Sequence, residues 1–188
     1  MRKPTVFLIT GYARAGKDTA ANAIADFLGC ETYSFADTLK DAVNRYFVAL
    51  GIESVNVHET ADKVRFRELL VAAGRAARSV DRNVFADHVA LDCHLALMRG
   101  KCAVVSDWRY ANEHERIIAK VGRDRVVTIM VSRDGGQPAN AEEADSIDEI
   151  MASRVVDHSG FFRSGDTKAL TDWAIDIANQ HATHVPAA

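Results

Sequence analysis

The sequence predicts an α/β fold, a three-layer sandwich with helices on both faces of a parallel sheet of about five strands. Short apolar runs without polar alternation suit strands covered on both faces. Stretches of helical period separate them, so strand follows helix follows strand and the crossovers are βαβ units. A glycine-rich turn set directly between the first strand and the first helix is the third observation.

The first strand is Thr5–Thr10 (TVFLIT), bounded by Pro4 and Gly11, and a helix over Lys17–Leu28 follows. Glu31–Phe35 is a weaker, alternating strand. The next helix, Thr38–Leu50, places Leu39, Val43, Tyr46, Phe47 and Leu50 at spacings of three and four. Helices over Asp62–Ala77 and Val84–Met98 form a pair. The strand Cys102–Ser106 ends at Asp107, a helix runs from Asn112 to Val121, and the strand Val126–Val131 ends near Arg133. Arg133–Ala144 (RDGGQPANAEEA) is polar and turn-rich, and is expected to be a lid loop. A last strand is expected over Arg154–Val156, and a closing helix over Lys168–Asn179.

Residues 1–188 are read as one domain, with a mainly helical region over about 36–100. The composition, 48% apolar and 26% charged, is that of an ordinary globule and excludes disorder and disulfide-dense mini-folds. A net charge of −3 excludes a generic nucleic-acid coat. Arg nevertheless outnumbers Lys by 16 to 7, and Arg suits two-point contact with phosphate or carboxylate, so an anion site must be a local concentration of charge. Cys30, Cys93 and Cys102 are odd in number and lack CxxC spacing, and read as buried thiols of a reducing compartment. No run approaches a membrane span or a signal segment, so the cytoplasm is expected.

Gly11-Tyr-Ala-Arg-Ala-Gly16-Lys17-Asp18-Thr19 has the G-x4-G-K spacing of a phosphate-binding loop. Glycines let several N–H groups face one concavity, and the helix start adds free N–H groups and the positive end of its dipole. Lys17 adds a mobile point charge for the β- and γ-phosphates. Asp18 stands where Ser or Thr normally ligates Mg²⁺. It can bind the metal directly, bind through water, or cap the helix, while Thr19 keeps a hydroxyl for an α-phosphate. A nucleoside triphosphate with Mg²⁺ is the expected ligand.

Asp107, ending an apolar strand beside that loop, can orient a metal-bound water or a substrate hydroxyl. Arg109 can share its cleft and hold an acceptor phosphate; the bland alternative is an Asp–Arg pair with Asn112 capping a helix. Arg14, Arg65, Arg67, Arg75, Arg78, Arg82 and Arg133 are further cations for phosphoryl transfer, those in loops and at strand ends being the better placed. His88 and His94 lack metal-pair spacing, and His58, His114, His158, His181 and His184 are scattered; all read as structural or surface residues. Asp157-His158-Ser159-Gly160 reads as a turn bordering a nucleotide base.

Four segments occur in order: Gly11–Thr19; Phe35-Ala36-Asp37-Thr38-Leu39-Lys40; Arg67-Glu68-Leu69-Leu70 leading to Gly74 and Arg78; and Asp107-Trp108-Arg109 leading to Glu113. With them the chain resembles the deoxynucleoside monophosphate kinases of bacteriophages. It is similar, more distantly, to animal phosphomevalonate kinases, which share the Gly-Lys-Asp of the loop. The resemblance implies a phosphate-loop kinase sandwich that moves the γ-phosphate of ATP to a deoxynucleoside 5′-monophosphate. It implies ATP contacts from Gly11, Ala13, Arg14, Ala15, Gly16, Lys17, Asp18 and Thr19, with Arg133 near the base or lid. Lys40, Arg67, Arg78, Asp107 and Arg109 would surround the acceptor, with Lys17, Arg14 and Asp107 at the chemistry. Val71 stands where the family often has Gln, Phe85 where Trp is common, and Asp157 where Asn is frequent, so the base accepted stays open. Small nucleotides are the implied partners, without nucleic acid or membrane; a homodimer is compatible, and a phage-encoded protein would act in the host cytoplasm. Two other readings remain: a phosphate-loop kinase of a phosphomevalonate- or dephospho-CoA-like metabolite, and a nucleotide-binding module without catalysis.

Overall fold

A computed structural model describes residues 3–182. Its single sheet has strands β1 (Val6–Thr10), β2 (Glu31–Tyr33), β3 (Ala103–Val105), β4 (Val126–Arg133) and β5 (His158–Phe162) in the order β2-β3-β1-β4-β5. Every neighbouring pair is parallel. The helices are α1 (Lys17–Leu28), α2 (Phe35–Ala49), α3 (Thr60–Arg65), α4 (Arg67–Val80), α5 (Val84–Met98), α6 (Ala111–Val121), α7 (Ala141–Ala152) and α8 (Thr167–Ala182). The expected fold class is therefore the observed one.

The side chains of β1 divide between two cores, which explains its unbroken apolar run. Phe7 and Ile9 pack with Ile24 of α1 and Leu170, Ala174 and Ile177 of α8. Val6 and Leu8 pack on the other face with Phe85, Val89 and Leu97 of α5, Trp108, and Ile117 of α6. A satellite core of Val43, Phe47 and Val57, joined by Phe66 and Leu70, holds α2 against α4. The chain leaves β1 for the β2 side, returns through β3, and then crosses to β4 on the other flank. The carboxyl end of β1 is thus the switch point of the sheet, where open α/β folds leave a crevice.

Four local expectations are corrected. The strand Glu31–Phe35 stops at Tyr33 and α2 starts at Phe35, three residues before the expected Thr38. The cause is remote in sequence: the Asp107 carboxylate accepts from Phe35 N (2.9 Å), Ala36 N (3.0 Å) and Ser34 Oγ (2.8 Å), so it caps this helix. The helix expected over Asp62–Ala77 breaks at Phe66, whose ring turns into the satellite core 4.8 Å from Phe47. The stretch read as a lid loop over Arg133–Ala144 begins inside β4 and ends inside α7, leaving 134–140 as the loop. Asn140 caps α7, accepting from Glu143 N at 2.9 Å.

The last strand lies at His158–Phe162, not Arg154–Val156, so Asp157–Gly160 is no turn at a nucleotide base. Asp157 holds the amino-terminal end of β5 instead, accepting from Thr128 N (2.9 Å) and Arg123 Nη2 (2.6 Å). Thr128 is five residues, about 16 Å of strand, from the Arg133 end of β4. None of the three cysteines is in a disulfide; Cys93 and Cys102 are buried as expected, whereas Cys30 is only half-buried, and no helix among the described residues is long and apolar enough to cross a membrane.

Gly11 makes the turn out of β1 with φ 142°, and a Cβ there would sit 2.1 Å from the Val131 carbonyl oxygen. Backbone cannot yield to such a contact. Gly11→Ala is expected to cost about 2–4 kcal/mol, and hence lower Tm by about 5–10 °C in a thermal melt. An unchanged Tm would contradict this chain path.

Candidate functional site

Past Gly11 the backbone turns back on itself. Arg14, a non-glycine residue, is held at φ 62°, and Gly16 takes φ 103° as the residue before α1. Lys17 Nζ donates to the carbonyls of Gly11 (2.7 Å) and Tyr12 (2.9 Å), which fixes the ammonium over the concavity. An ammonium has three N–H groups, so one remains for an anion. Burial, then the neighbouring Arg109, pushes the Lys17 pKa below its ordinary value, against the opposing pull of Glu143, Asp18 and Asp107. A phosphate here would relieve that stress, because negative charge favours the ammonium.

A cleft of about 1090 Å³ opens beside this loop and is lined at that end by Ala13, Arg14, Arg109 and Arg133. Arg133 Nη1 reaches the Arg14 carbonyl at 3.4 Å, so the end of β4 and the loop meet. Lys40 of α2, Lys63 of α3, and Arg67, Arg75 and Arg78 of α4 line it as well. Lys40 pairs with Asp37 at 2.6 Å, and the Arg78 guanidinium lies 4.9 Å from the Phe85 ring and 5.0 Å from Tyr110, which fixes its plane. Eight cations face five carboxylates across the cleft, a local excess in an acidic chain.

Of the residues read from sequence, Ala13, Arg14, Lys40, Arg67, Arg78, Asp107, Arg109 and Arg133 converge on this one cleft. Arg65 packs its guanidinium 4.9 Å over Phe66 and does not line the cleft, and Arg82 lines only a smaller side pocket with Arg78 and Phe85. Ala15 is buried in the loop, Asp18 is exposed and Thr19 half-buried in the first turn of α1. Among the described residues no three His, Cys, Asp or Glu side chains cluster as a metal cage. Mg²⁺ carried by phosphates needs only one or two protein carboxylates, and the exposed Asp18 beside Lys17 suits that role.

Asp107 differs most from its expected part. With three donors on its oxygens it anchors α2, and only limited acceptor capacity is left for a ligand. Asn112, by contrast, is not a helix cap; its side-chain amide donates to Arg82 O (3.2 Å) and Asn83 Oδ1 (3.0 Å). The turn carrying Arg109 is held by Glu113, whose Oε2 accepts from Arg109 N (2.8 Å) and Tyr110 N (3.0 Å). Burial pushes the Glu113 carboxyl up to about 7. The histidines stay outside the cleft lining: His58 pairs with Asp41 at 2.8 Å, His114 stacks on Trp108, and His158 meets His181 at 2.7 Å. His184 lies outside the described residues.

The sequence reading missed Glu142, Glu143 and Tyr110. Tyr110 Oη donates to Glu142 at 2.6 Å, and the buried Glu143 accepts from Ala139 N at 2.6 Å. Asn140-Ala-Glu-Glu143 carried the signal, a cap residue with a carboxylate three positions on.

No protein-family model matches this sequence, and no curated protein matches it. Solved structures do. A dephospho-CoA kinase from Campylobacter jejuni superposes with TM-score 0.58 at 12% identity, over 97% of this chain and 100% of that one. A sugar kinase from Janibacter sp. gives 0.55 at 16% identity, over 96% and 99%. A gluconokinase from Sinorhizobium meliloti gives 0.55 at 12%, over 97% and 95%. The fold is that of the phosphate-loop kinases.

Glu113 makes stability depend on pH. Its carboxyl titrates near 7 when folded and at the ordinary 4.5 when unfolded, so the native state holds the extra proton between those values. Stability from this group is full below about 4.5 and is lost as pH rises through about 7, by up to about 3 kcal/mol. The Tm of wild type should therefore fall between pH 5 and 8 by several degrees more than that of Glu113→Gln. Equal slopes would contradict the burial of this carboxyl.

Proposed function

We propose that the chain is an ATP-dependent kinase that transfers the γ-phosphate to a small phosphorylated acceptor, a deoxynucleoside 5′-monophosphate, giving the diphosphate. One observation carries the reading: a single cleft is lined both by the Lys17 loop, through Ala13 and Arg14, and by the cations Lys40, Arg67 and Arg78. Such a lining suits an acceptor that is itself an anion. The deoxynucleotide is supported by the order of the Phe35–Lys40, Arg67–Arg78 and Asp107–Arg109 segments, as in the kinases the chain resembles.

A phosphate oxygen of the acceptor attacks the γ-phosphorus in line, the bond to the β,γ-bridging oxygen breaks, and ADP leaves. The nucleophile is already ionised, so no base is required and catalysis is positioning plus charge neutralisation. Lys17 and the loop amides hold the triphosphate, Arg78 and Arg67 hold the acceptor, and Arg109, Arg14 and Arg133 meet the charge between them. Mg²⁺, when bound, neutralises the triphosphate, with Asp18 as its protein carboxylate. Asp107 acts by fixing α2, and Lys40 with it, against the strand end.

One observation favours a hydroxyl acceptor, the class to which dephospho-CoA and gluconate belong. Glu113 lines the cleft and titrates near 7, where a general base works best. The readings separate in a coupled assay of ADP release with dAMP, dGMP, dCMP, dTMP, dephospho-CoA and gluconate. Turnover of at least one monophosphate is expected, with Lys17→Ala lowering kcat/KM by at least about 10³-fold in a folded protein. Turnover of hydroxyl acceptors alone, with a pH limb near 7 removed in Glu113→Gln, would establish the second reading. ADP release indifferent to every acceptor would overturn both.

A further inference from the structure

We propose that Glu143 is a built-in anion that occupies the phosphate loop when no nucleotide is bound, and that a triphosphate must displace it. The inference rests on the proposed function only in taking the loop as the triphosphate site.

Glu143 projects from the first turn of α7 and is buried, with a relative exposure of 4%. A buried carboxylate persists only where donors or cations face it. Its Oε2 accepts from Ala139 N at 2.6 Å and, at the long end of hydrogen bonding, from Ala13 N at 3.4 Å. Its Oε1 stands 3.8 Å from Arg109 Nη2, and its charge raises the Lys17 pKa. A loop amide, Lys17 and Arg109 are the groups a triphosphate would use; one internal carboxylate reaches the amide, stands beside Arg109 and acts on Lys17 through its charge.

The neighbouring Glu142 behaves alike on the acceptor side. It accepts from Tyr110 Oη at 2.6 Å and lies 3.8 Å from Arg75 Nη2. Two successive acids at the start of α7 thus stand beside cations that line the cleft, Glu142 by Arg75 and Glu143 by Arg109. An anion at Ala13 and the Glu143 carboxylate cannot share the space, since like charges in a buried site repel strongly. The Ala13 contact is the long one and the Ala139 contact the short one, so the carboxylate is held chiefly by its own segment. When displaced, it must give up Ala139 N.

The test uses the full chain and inorganic tripolyphosphate with Mg²⁺, read by calorimetry and by amide hydrogen exchange. Glu143→Gln and Glu143→Ala are expected to bind tripolyphosphate about tenfold or more tighter than wild type. In wild type the ligand is expected to protect the Ala13 amide while speeding exchange at Ala139, opposite signs that a merely structural carboxylate would not produce. Unchanged or weaker binding by both variants, or protection of both amides together, would overturn the proposal and leave Glu143 beside the bound phosphates. The exchange experiment needs no variant, so a misfolded mutant does not blunt it. Lys17→Ala separates the two claims. Binding lost in Lys17→Ala but unchanged in the Glu143 variants supports the loop and rejects the displacement, whereas wild type binding no tripolyphosphate would overturn both.

Discussion

The chain passes from β1 into α1 at one point of backbone contact, Gly11 against the Val131 carbonyl, with no room for a side chain between them. That contact lets the loop curl over the carboxyl end of β1 and not beside it. It also places Arg133, two residues beyond Val131 on β4, against the Arg14 carbonyl. The rest follows from the sheet order: β3 delivers Asp107 and Arg109 on one flank of β1, and β4 delivers Arg133 on the other. A cup for anions at a switch point is thus a consequence of strand order plus one glycine.

Charge is the second constraint. A cleft with an excess of Arg and Lys would repel itself in a protein of net charge −3 only locally, and the chain manages that repulsion with its own acids. Asp37 holds Lys40, Glu142 stands near Arg75, and Glu143 stands between the loop and Arg109. Glu113 and Asp107 serve differently, fixing backbone: one holds the turn that carries Arg109, the other the start of α2. The acidic overall balance therefore coexists with a cleft suited to polyanions.

What the sequence showed and what it hid divide by range of interaction. The β1–loop–α1 unit was legible because each of its parts is local: an apolar run, two glycines, a lysine and a helix. The convergence of Lys40, Arg67, Arg78, Arg109 and Arg133 was legible only through resemblance, since their positions are spread over about half of the chain. The start of α2 was hidden because its cap, Asp107, lies some seventy residues away and three-dimensional packing alone brings it there. The break at Phe66 was hidden for a like reason, the pull of Phe47. Helix α7 was missed although its Asn140 cap was in view, because glycines and a proline just before it gave the whole stretch the look of a loop.

The proposed phosphoryl transfer requires one cleft to hold two phosphate-bearing ligands end to end. A crystal structure with a bisubstrate, adenosine and thymidine joined through a pentaphosphate bridge, tests this most directly. The bridge is expected to run from the amides and ammonium of the Gly11–Thr19 loop, past Arg109, to Arg67 and Arg78. A ligand bound with its phosphates elsewhere, or with that loop closed against it, would rule out phosphoryl transfer in this cleft.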